Sequence, residues 1–404
     1  MSVTAGRRTV LLAMGAIWPG ASANGPVQSC LNLVGVLGSD YDFRIIARDR
    51  PFDSSAPRPD TKTGVWVDRG KFNAFYVRPE NFTPAYFFRL LAEVPHDLVQ
   101  LNGFFDREFT IPILAGRRFA GRSRRPALLS PRGEFAPGAL QISPRRKHLY
   151  LKGGRILGLL DGVWLQATTE REREDIATAL PGFRHIVVAP DIPTCVEAEG
   201  GSRQARMKQK GHLRLVFIGR ISPMKNLDFA LTVLSKVKSP VEYEIIGPVE
   251  DENLWRRCQE LVQSMPAHVT VRVRGVASQA EVRAALREAD VFFLPTRGEN
   301  FGHAIVEALS EGTPVLISDR TPWNAVLTAG AGWALPLEEK GAFVRAIEDL
   351  ANMECAAWAA MSAAARRFAE AHFGYEAAVA ATRAVYASVL AAETPGRNSR
   401  LTRG

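Results

Sequence analysis

Cysteine is scarce in this sequence: Cys30, Cys195, Cys258 and Cys355 are the four in 404 residues. None belongs to a C-x-x-C pair and none neighbours a histidine at ligand spacing, which argues against a zinc site and against a disulfide framework. Reduced thiols in a cytoplasmic protein are the simple reading. Long apolar runs are missing too, since no stretch approaches the ~20 residues a membrane-spanning helix needs. Arg7-Arg8, the run Val10 to Met14 and Ala21-Ser22-Ala23 outline a weak signal peptide. The run is short and broken by Trp18-Pro19-Gly20, so it reads better as a buried first strand. Neither G-x-G-x-x-G nor G-x-x-x-x-G-K-[ST] occurs, so dinucleotide and P-loop fingerprints fail. A lone D-x-D, Asp40-Tyr41-Asp42, precedes a strand and reads as a turn, not a metal site.

What is present is an ordinary globular composition, 46 % hydrophobic and 23 % charged, with a formal net charge of +9. Much of the excess lies in one stretch: Arg117, Arg118, Arg122, Arg124, Arg125 and Arg132, then Arg145, Arg146, Lys147, Lys152 and Arg155. Such a stretch is either a solvated surface or a face for phosphate-rich partners. It lacks the interleaved aromatics of a single-strand binder, which speaks against nucleic acid.

Two series of alternating strands and helices follow one another, the pattern of doubly wound parallel α/β sheets. In the first, Thr9–Met14, Phe43–Ala47, Leu98–Leu101, Ala127–Ser130 and Ile186–Ala189 read as strands, and Val27, Leu31, Val34 and Leu37 recur at helical spacing. The second has strands at Leu213–Ile218, Tyr243–Ile246, Val269–Val273, Val291–Leu294 and Val315–Ile317, the last closing the series. Helices are expected over Leu227–Val237, Val282–Ala289 and Tyr375–Ala391. The expected domains are 1–190, a linker over 191–211 marked by Glu199-Gly200-Gly201-Ser202, a second domain over 212–370, a helix over 371–392 crossing back to the first, and a disordered polar tail over 393–404.

The second series repeatedly ends a strand on Gly, Pro or a charged residue, and ligands bind at that edge of an open parallel sheet. The densest signal is Leu294 to Leu309, in which Glu299 and Glu307 flank seven residues. A helix starting near Asn300–Phe301 would offer free N–H groups and positive potential to an anion. Glu307, further along it, suits a neutral diol such as ribose, because a carboxylate accepts two hydroxyl hydrogen bonds well. Arg220 ends a strand and Lys225 lies five residues on, at the start of a helix. A forked guanidinium with a point ammonium suits a diphosphate, and fixed cations favour a transition state in which charge grows on that leaving group. Gly20 and Gly25 bracket a loop where backbone could approach a phosphate or sugar closely.

Glu299 to Glu307, with Asn300-Phe301-Gly302 between and Gly312-Thr313-Pro314-Val315 after, resembles the donor-binding motif of the GT-B glycosyltransferases. The group it is most similar to is the retaining family 4 of bacterial polysaccharide and glycolipid biosynthesis. Phe217 to Leu227, Glu244 to Pro248 and Ser318 to Trp323 resemble that family in the right order, over roughly 213–335. Gly25 to Ser29 and Ser130 to Leu140 do so more weakly. The resemblance implies two Rossmann-like domains facing a central cleft and a retaining hexosyltransferase. A nucleotide diphosphate sugar (UDP- or GDP-linked) would be the donor, without an obligatory metal or other cofactor. A glycan or lipid-linked molecule would be the acceptor.

By the same resemblance Arg220, Lys225 and Glu299 are catalytic. Gly25, Gly247, Val276, Asn300, Phe301, Gly302 and Glu307 are donor-binding, with Gly247 and Arg274-Gly275-Val276 at the base. Asn102, Arg132 and Glu134 are acceptor-side candidates. Many members carry a histidine in the region of Asp97 to Phe105, where this chain has Gln100 and Asn102 instead. The basic first domain suggests a cytoplasmic protein docking at the anionic inner face of the membrane. A sugar-nucleotide epimerase on the same architecture, or a non-catalytic nucleotide-sugar binder, are the other readings.

Overall fold

The computed structural model describes residues 7–15, 17, 25–50, 56–58, 61–119, 125–140, 144–193 and 207–392. Gly20, Arg122, Arg124, Cys195, Glu199-Gly200-Gly201-Ser202 and the tail from 393 lie outside the described residues. By its contacts the chain divides into two compact units, residues 1–192 with 376–404, and residues 193–375.

The first unit runs β1 (Arg8–Ala13), α1 (Gly25–Leu37), β2 (Tyr41–Arg48), β3 (Trp66–Asp68), β4 (Asn73–Val77), α2 (Pro84–Glu93), β5 (Leu98–Asn102), α3 (Thr110–Phe119), β6 (Ala127–Ser130), α4 (Pro137–Leu140), α5 (Pro144–Ile156), β7 (Val163–Ala167), α6 (Glu170–Ala179) and β8 (Ile186–Val188). The second runs β9 (Leu213–Ile218), α7 (Leu227–Leu234), β10 (Val241–Ile246), α8 (Glu252–Gln263), β11 (Val269–Gly275), α9 (Gln279–Glu288), β12 (Val291–Leu294), α10 (His303–Ser310), β13 (Val315–Ser318), β14 (Gly332–Leu335), α11 (Lys340–Asn352) and α12 (Cys355–His372). The last helix, α13 (Tyr375–Ala391), belongs from Glu376 onward to the first unit.

The first sheet has the order β3-β4-β2-β1-β5-β6-β7-β8, parallel except for β3 against β4. β1 is its middle: Leu12 pairs with Ile45 on one side and Gln100 on the other, and Val10 to Ala13 are buried. A strand walled in on both faces and both edges must be apolar along its length, so Val-Leu-Leu-Ala suits this place. α13 completes this unit. Tyr386, fully buried, donates its hydroxyl to Gln100, and Arg383 Nε lies 2.9 Å from Asp40 Oδ2. Of the D-x-D carboxylates, Asp40 therefore pairs with Arg383 and Asp42 pairs with Arg44 at 3.2 Å.

The second sheet is all parallel, in the order β11-β10-β9-β12-β13-β14. Chain order runs one way from β9 and the other way from β12, so their shared boundary is the topological switch point where ligands lodge. Val291 to Leu294 and Val315 to Ile317 are wholly buried among the helices of this unit. At its base Lys208 is buried, with Nζ 2.9 Å from Ala351 O and 3.4 Å from Met353 O at the end of α11. An ammonium there satisfies helix C-terminal carbonyls and matches their negative potential.

Several expectations need correction. Val315–Ile317 does not close the second series, because β14 adds a sixth, edge strand. The helix from Leu227 stops at Leu234 rather than Val237. The helix of the glutamate motif begins at His303, not Asn300–Phe301, because Gly302 holds a left-handed φ of 75° as its N-cap. Lys225 lies in the loop ahead of α7 and not in the helix, since Asn226 takes φ 59° before Leu227. β3, β4 and β7 were not expected from sequence.

Candidate active site

Three strand ends of the second sheet are tied together by backbone. Gly219 N donates to Ile246 O (3.0 Å), Gly247 N to Gly275 O (2.8 Å) and Ile221 N to Pro248 O (2.8 Å). Gly247 has φ 142°, and a Cβ there would stand 2.0 Å from Gly219 O. Only glycine allows so close an approach. Val276, just past β11, is exposed beside this edge.

The loop after β9 and the loop after β12 are joined across the switch point. Arg297 N and Thr296 Oγ1 both donate to Met224 O, at 2.8 and 2.9 Å. Asn226 Nδ2 donates to Pro295 O (2.9 Å), and Arg297 Nε donates to Asn226 Oδ1 (3.0 Å). The loop after β13 joins them: Glu299 N donates to Arg320 O (3.1 Å), Ser318 Oγ to Thr296 O, and Trp323 Nε1 to Phe301 O. Phe301 is thus a core ring, set edge-on against Trp323 at 5.7 Å, while the backbone of Asn300 to Gly302 leads into α10.

On this frame Lys225 Nζ and Glu299 Oε1 form an ion pair, with side chains only 18 % and 9 % exposed. The stem of Lys225 crosses Gly219, whose missing Cβ would lie 3.6 Å from it. Arg220 is half-exposed and pairs with Glu250, in the loop after β10. On α10, Glu307 Oε1 accepts from Gln279 Nε2 at 3.0 Å. Burial pushes the Glu307 carboxyl above its ordinary range, and the bond from Gln279 partly offsets this. Glu307 and Gln279 line a shallow pocket together with Arg283, His303, Ser310 and Glu311, and Glu299 lies outside that lining.

Sequence reasoning missed Gln279 and Glu250, the partners of Glu307 and Arg220. Ser278-Gln279-Ala280-Glu281 is a capping box, with Ser278 N 2.8 Å from Glu281 Oε2. That signature would have set the start of α9 at Gln279, beside β11.

In the first unit the candidates lie at the corresponding sheet edge. Gly25 is the first residue of α1. Asn102 ends β5, and its Oδ1 accepts from Arg132 Nη2 at 3.0 Å. Arg132, at φ 60°, forms an ion pair with the buried Asp191, to which Ser29 Oγ also donates at 2.9 Å. Glu134 accepts from Phe105 N at 2.8 Å, and burial raises its carboxyl above the usual range. The polar groups of Asn102, Arg132 and Glu134 are thus engaged within the unit. Among the described residues, no group of three or more His, Cys, Asp or Glu is arranged to hold a metal ion.

Residues 201–368 match the model of the family described as glycosyl transferases group 1. The phosphatidyl-myo-inositol mannosyltransferase of Mycobacterium leprae (strain TN) is 31 % identical over 169 residues, 39 % of this chain and 43 % of that protein. The putative colanic acid biosynthesis glycosyltransferase WcaL of Salmonella typhimurium (strain LT2) is 27 % identical over 154 residues, 35 % of this chain and 37 % of that one. The chain thus matches less than half the length of these curated relatives. Among solved structures, the sucrose-phosphate synthase of Thermosynechococcus elongatus superposes with a TM-score of 0.70 at 16 % identity, over 96 % of this chain and all of that one (100 %). Anabaena HepE, solved with UDP and glucose, gives 0.64 at 14 % identity over 95 % of this chain and 100 % of that one. At such identities the likeness carries the fold.

Proposed function

We propose that this protein is a retaining glycosyltransferase, a reading supported by the match of residues 201–368 to the model of glycosyl transferases group 1 and by the GT-B fold of the chain. It moves a sugar from a nucleotide diphosphate sugar to a glycan or lipid-linked acceptor. The observation that carries the reading is the Lys225–Glu299 pair, which joins the loops after β9 and β12 at the switch point of a parallel sheet, with Glu307 on the helix that follows.

In this reading Glu307 receives the ribose diol, and the Asn300 to Gly302 backbone with Glu299 receives the sugar hydroxyls. Gly247 and Val276 border the base. Lys225 and Arg220 face the diphosphate. When the bond from the anomeric carbon to phosphate oxygen breaks, negative charge grows on that oxygen, and fixed cations stabilise the change without reorganising. The departing phosphate oxygen takes the proton of the acceptor hydroxyl, which attacks from the same face. Configuration is therefore retained without a protein nucleophile.

A thermal-shift screen against UDP- and GDP-sugars tests donor binding, because a ligand at about 100 times its Kd stabilises by about 2.7 kcal/mol. Glu307→Ala is expected to abolish the positive shift while the protein still melts cooperatively. With acceptor present, NMR of the product should show the donor's anomeric configuration. A new sugar nucleotide from donor alone would mean an epimerase, and binding without transfer across acceptors would mean a non-catalytic binder.

A further inference from the structure

Helix α5 lies outside the candidate site and has an unusual outer face. Pro144–Ile156 contains five Lys or Arg residues and no carboxylate. Its inward side is Leu151, Gly154 and Tyr150, the last packing its ring against Phe104 at 5.7 Å. Its outermost stripe is Arg145, Leu149, Lys152 and Ile156, spaced 4, 3 and 4 residues apart and so on one line of the helix. Leu149 is 74 % exposed and Ile156 84 %. Leu157 follows at 61 %, and Phe119 at the end of α3 is 75 % exposed. Arg118 Nε donates to Leu157 O at 2.9 Å, which brings the ends of α3 and α5 together. The platform is anchored from within: buried Arg117 donates to the carbonyls of Arg125, Asp161 and Gly162 at 2.8 to 2.9 Å.

Single exposed apolar side chains are common on soluble proteins, but Leu149 and Ile156 aligned along a helix and continued by Leu157 and Phe119 at its end form a patch. The patch carries cations and aliphatics on the same face, where water favours only the first. An anionic lipid surface accommodates both, since Lys and Arg reach the headgroups while Leu and Ile enter the acyl boundary. A second copy docked by two-fold symmetry would set Arg145 and Lys152 of one α5 against those of the other. Nucleic acid would use the cations and leave the aliphatics exposed.

We propose that the outward face of α5, extended by Phe119 and Leu157, docks this protein on membranes rich in anionic phospholipid. This deepens the functional reading by naming a partner for an enzyme acting on a lipid-linked acceptor. Among the described residues no helix is long and apolar enough to cross a membrane, so the attachment is a surface one.

Flotation of the full chain with vesicles of phosphatidylcholine alone, or with phosphatidylglycerol added, tests the proposal without donor or acceptor. The expected result is binding only to the anionic vesicles, weakened by salt. Arg145→Glu with Lys152→Glu should lower binding roughly tenfold or more, at about 1 kcal/mol per charge. Leu149→Gln with Ile156→Gln should lower it at least roughly threefold and leave the residual binding fully salt-sensitive. Both pairs keep good helix formers. An unchanged nucleotide-sugar thermal shift in the variants shows that they fold and separates this proposal from the donor-site reading. Equal binding to neutral vesicles overturns it, as does no binding at all. So does self-association or nucleic-acid retention that the Leu149/Ile156 pair abolishes.

Discussion

Lys225 and Glu299 show how a site can be legible and still be surprising in detail. Both are expected from sequence to face a donor, and in the structure each has the other as its partner. A mostly buried pair is costly to break, since losing one member leaves an uncompensated charge, at about 3–5 kcal/mol for full burial. Lys225→Met is therefore expected to lower the melting temperature by several degrees and to abolish the nucleotide-sugar shift. Adding Glu299→Gln should restore stability but not the shift. Calorimetry on the two variants, with and without donor, separates the structural part of the pair from the binding part.

Glu307 carries a pH prediction. Burial raises its carboxyl, Glu311 raises it further, and Gln279, His303 and Arg283 lower it. Only the ionised form accepts two hydroxyls, so donor affinity is full above this raised value and is lost as pH falls through it. The loss should begin at a higher pH than an ordinary glutamate would give. Gln279→Met removes a bond that favours the charged form, so the acid limb of the Kd profile should move to still higher pH. Titration of donor binding by calorimetry across pH, wild type against variant, reads the direction. Gln279 itself was not legible, because nothing in the local pattern of α9 shows which residue of α10 it meets.

At the scale of elements, legibility followed burial only in part, since β4 and β7 are largely buried and were still not expected. β12 and β13 are buried runs bounded by turn residues, and their places were plain from sequence. β14, Gly-Trp-Ala-Leu, lacks β-branched residues and is half-exposed at a sheet edge, and β3 is three residues long, so neither has a periodic signature. α7 starts at Leu227 as expected, whereas the start of α10 slipped because its N-cap, Gly302, holds a left-handed turn. α9 has the opposite character, with a capping box at Ser278 directly before Gln279. Ser278→Ala should cost about 1 kcal/mol of stability. It should also weaken donor binding, because the turn that fixes Gln279 against Glu307 loosens. A double mutant with Gln279→Met should lose little further affinity.

Across the whole molecule, the two alternating series were enough to anticipate a pair of doubly wound sheets, while strand order was not, since a hydrophobic pattern does not say which strands pair. Donor binding should therefore read out regionally. Hydrogen–deuterium exchange with nucleotide sugar present is expected to slow at 219–226, 247–250, 275–279 and 295–307, with 8–48 and 98–102 little changed. Protection centred on the first unit would overturn the placement of the donor.

The division of the chain has a consequence for its biogenesis. The first unit is written in two instalments, with 193–375 between them, and the hydroxyl that Gln100 awaits arrives only with Tyr386. A ribosome delivers the contiguous second unit in full before it delivers α13. The portion translated first is thus the last to be completed, and it waits with Tyr41, whose ring sits 5.1 Å from Tyr386 in the finished molecule, still uncovered. A premature stop near the carboxyl terminus would injure the amino-terminal sheet and spare that of residues 193–375.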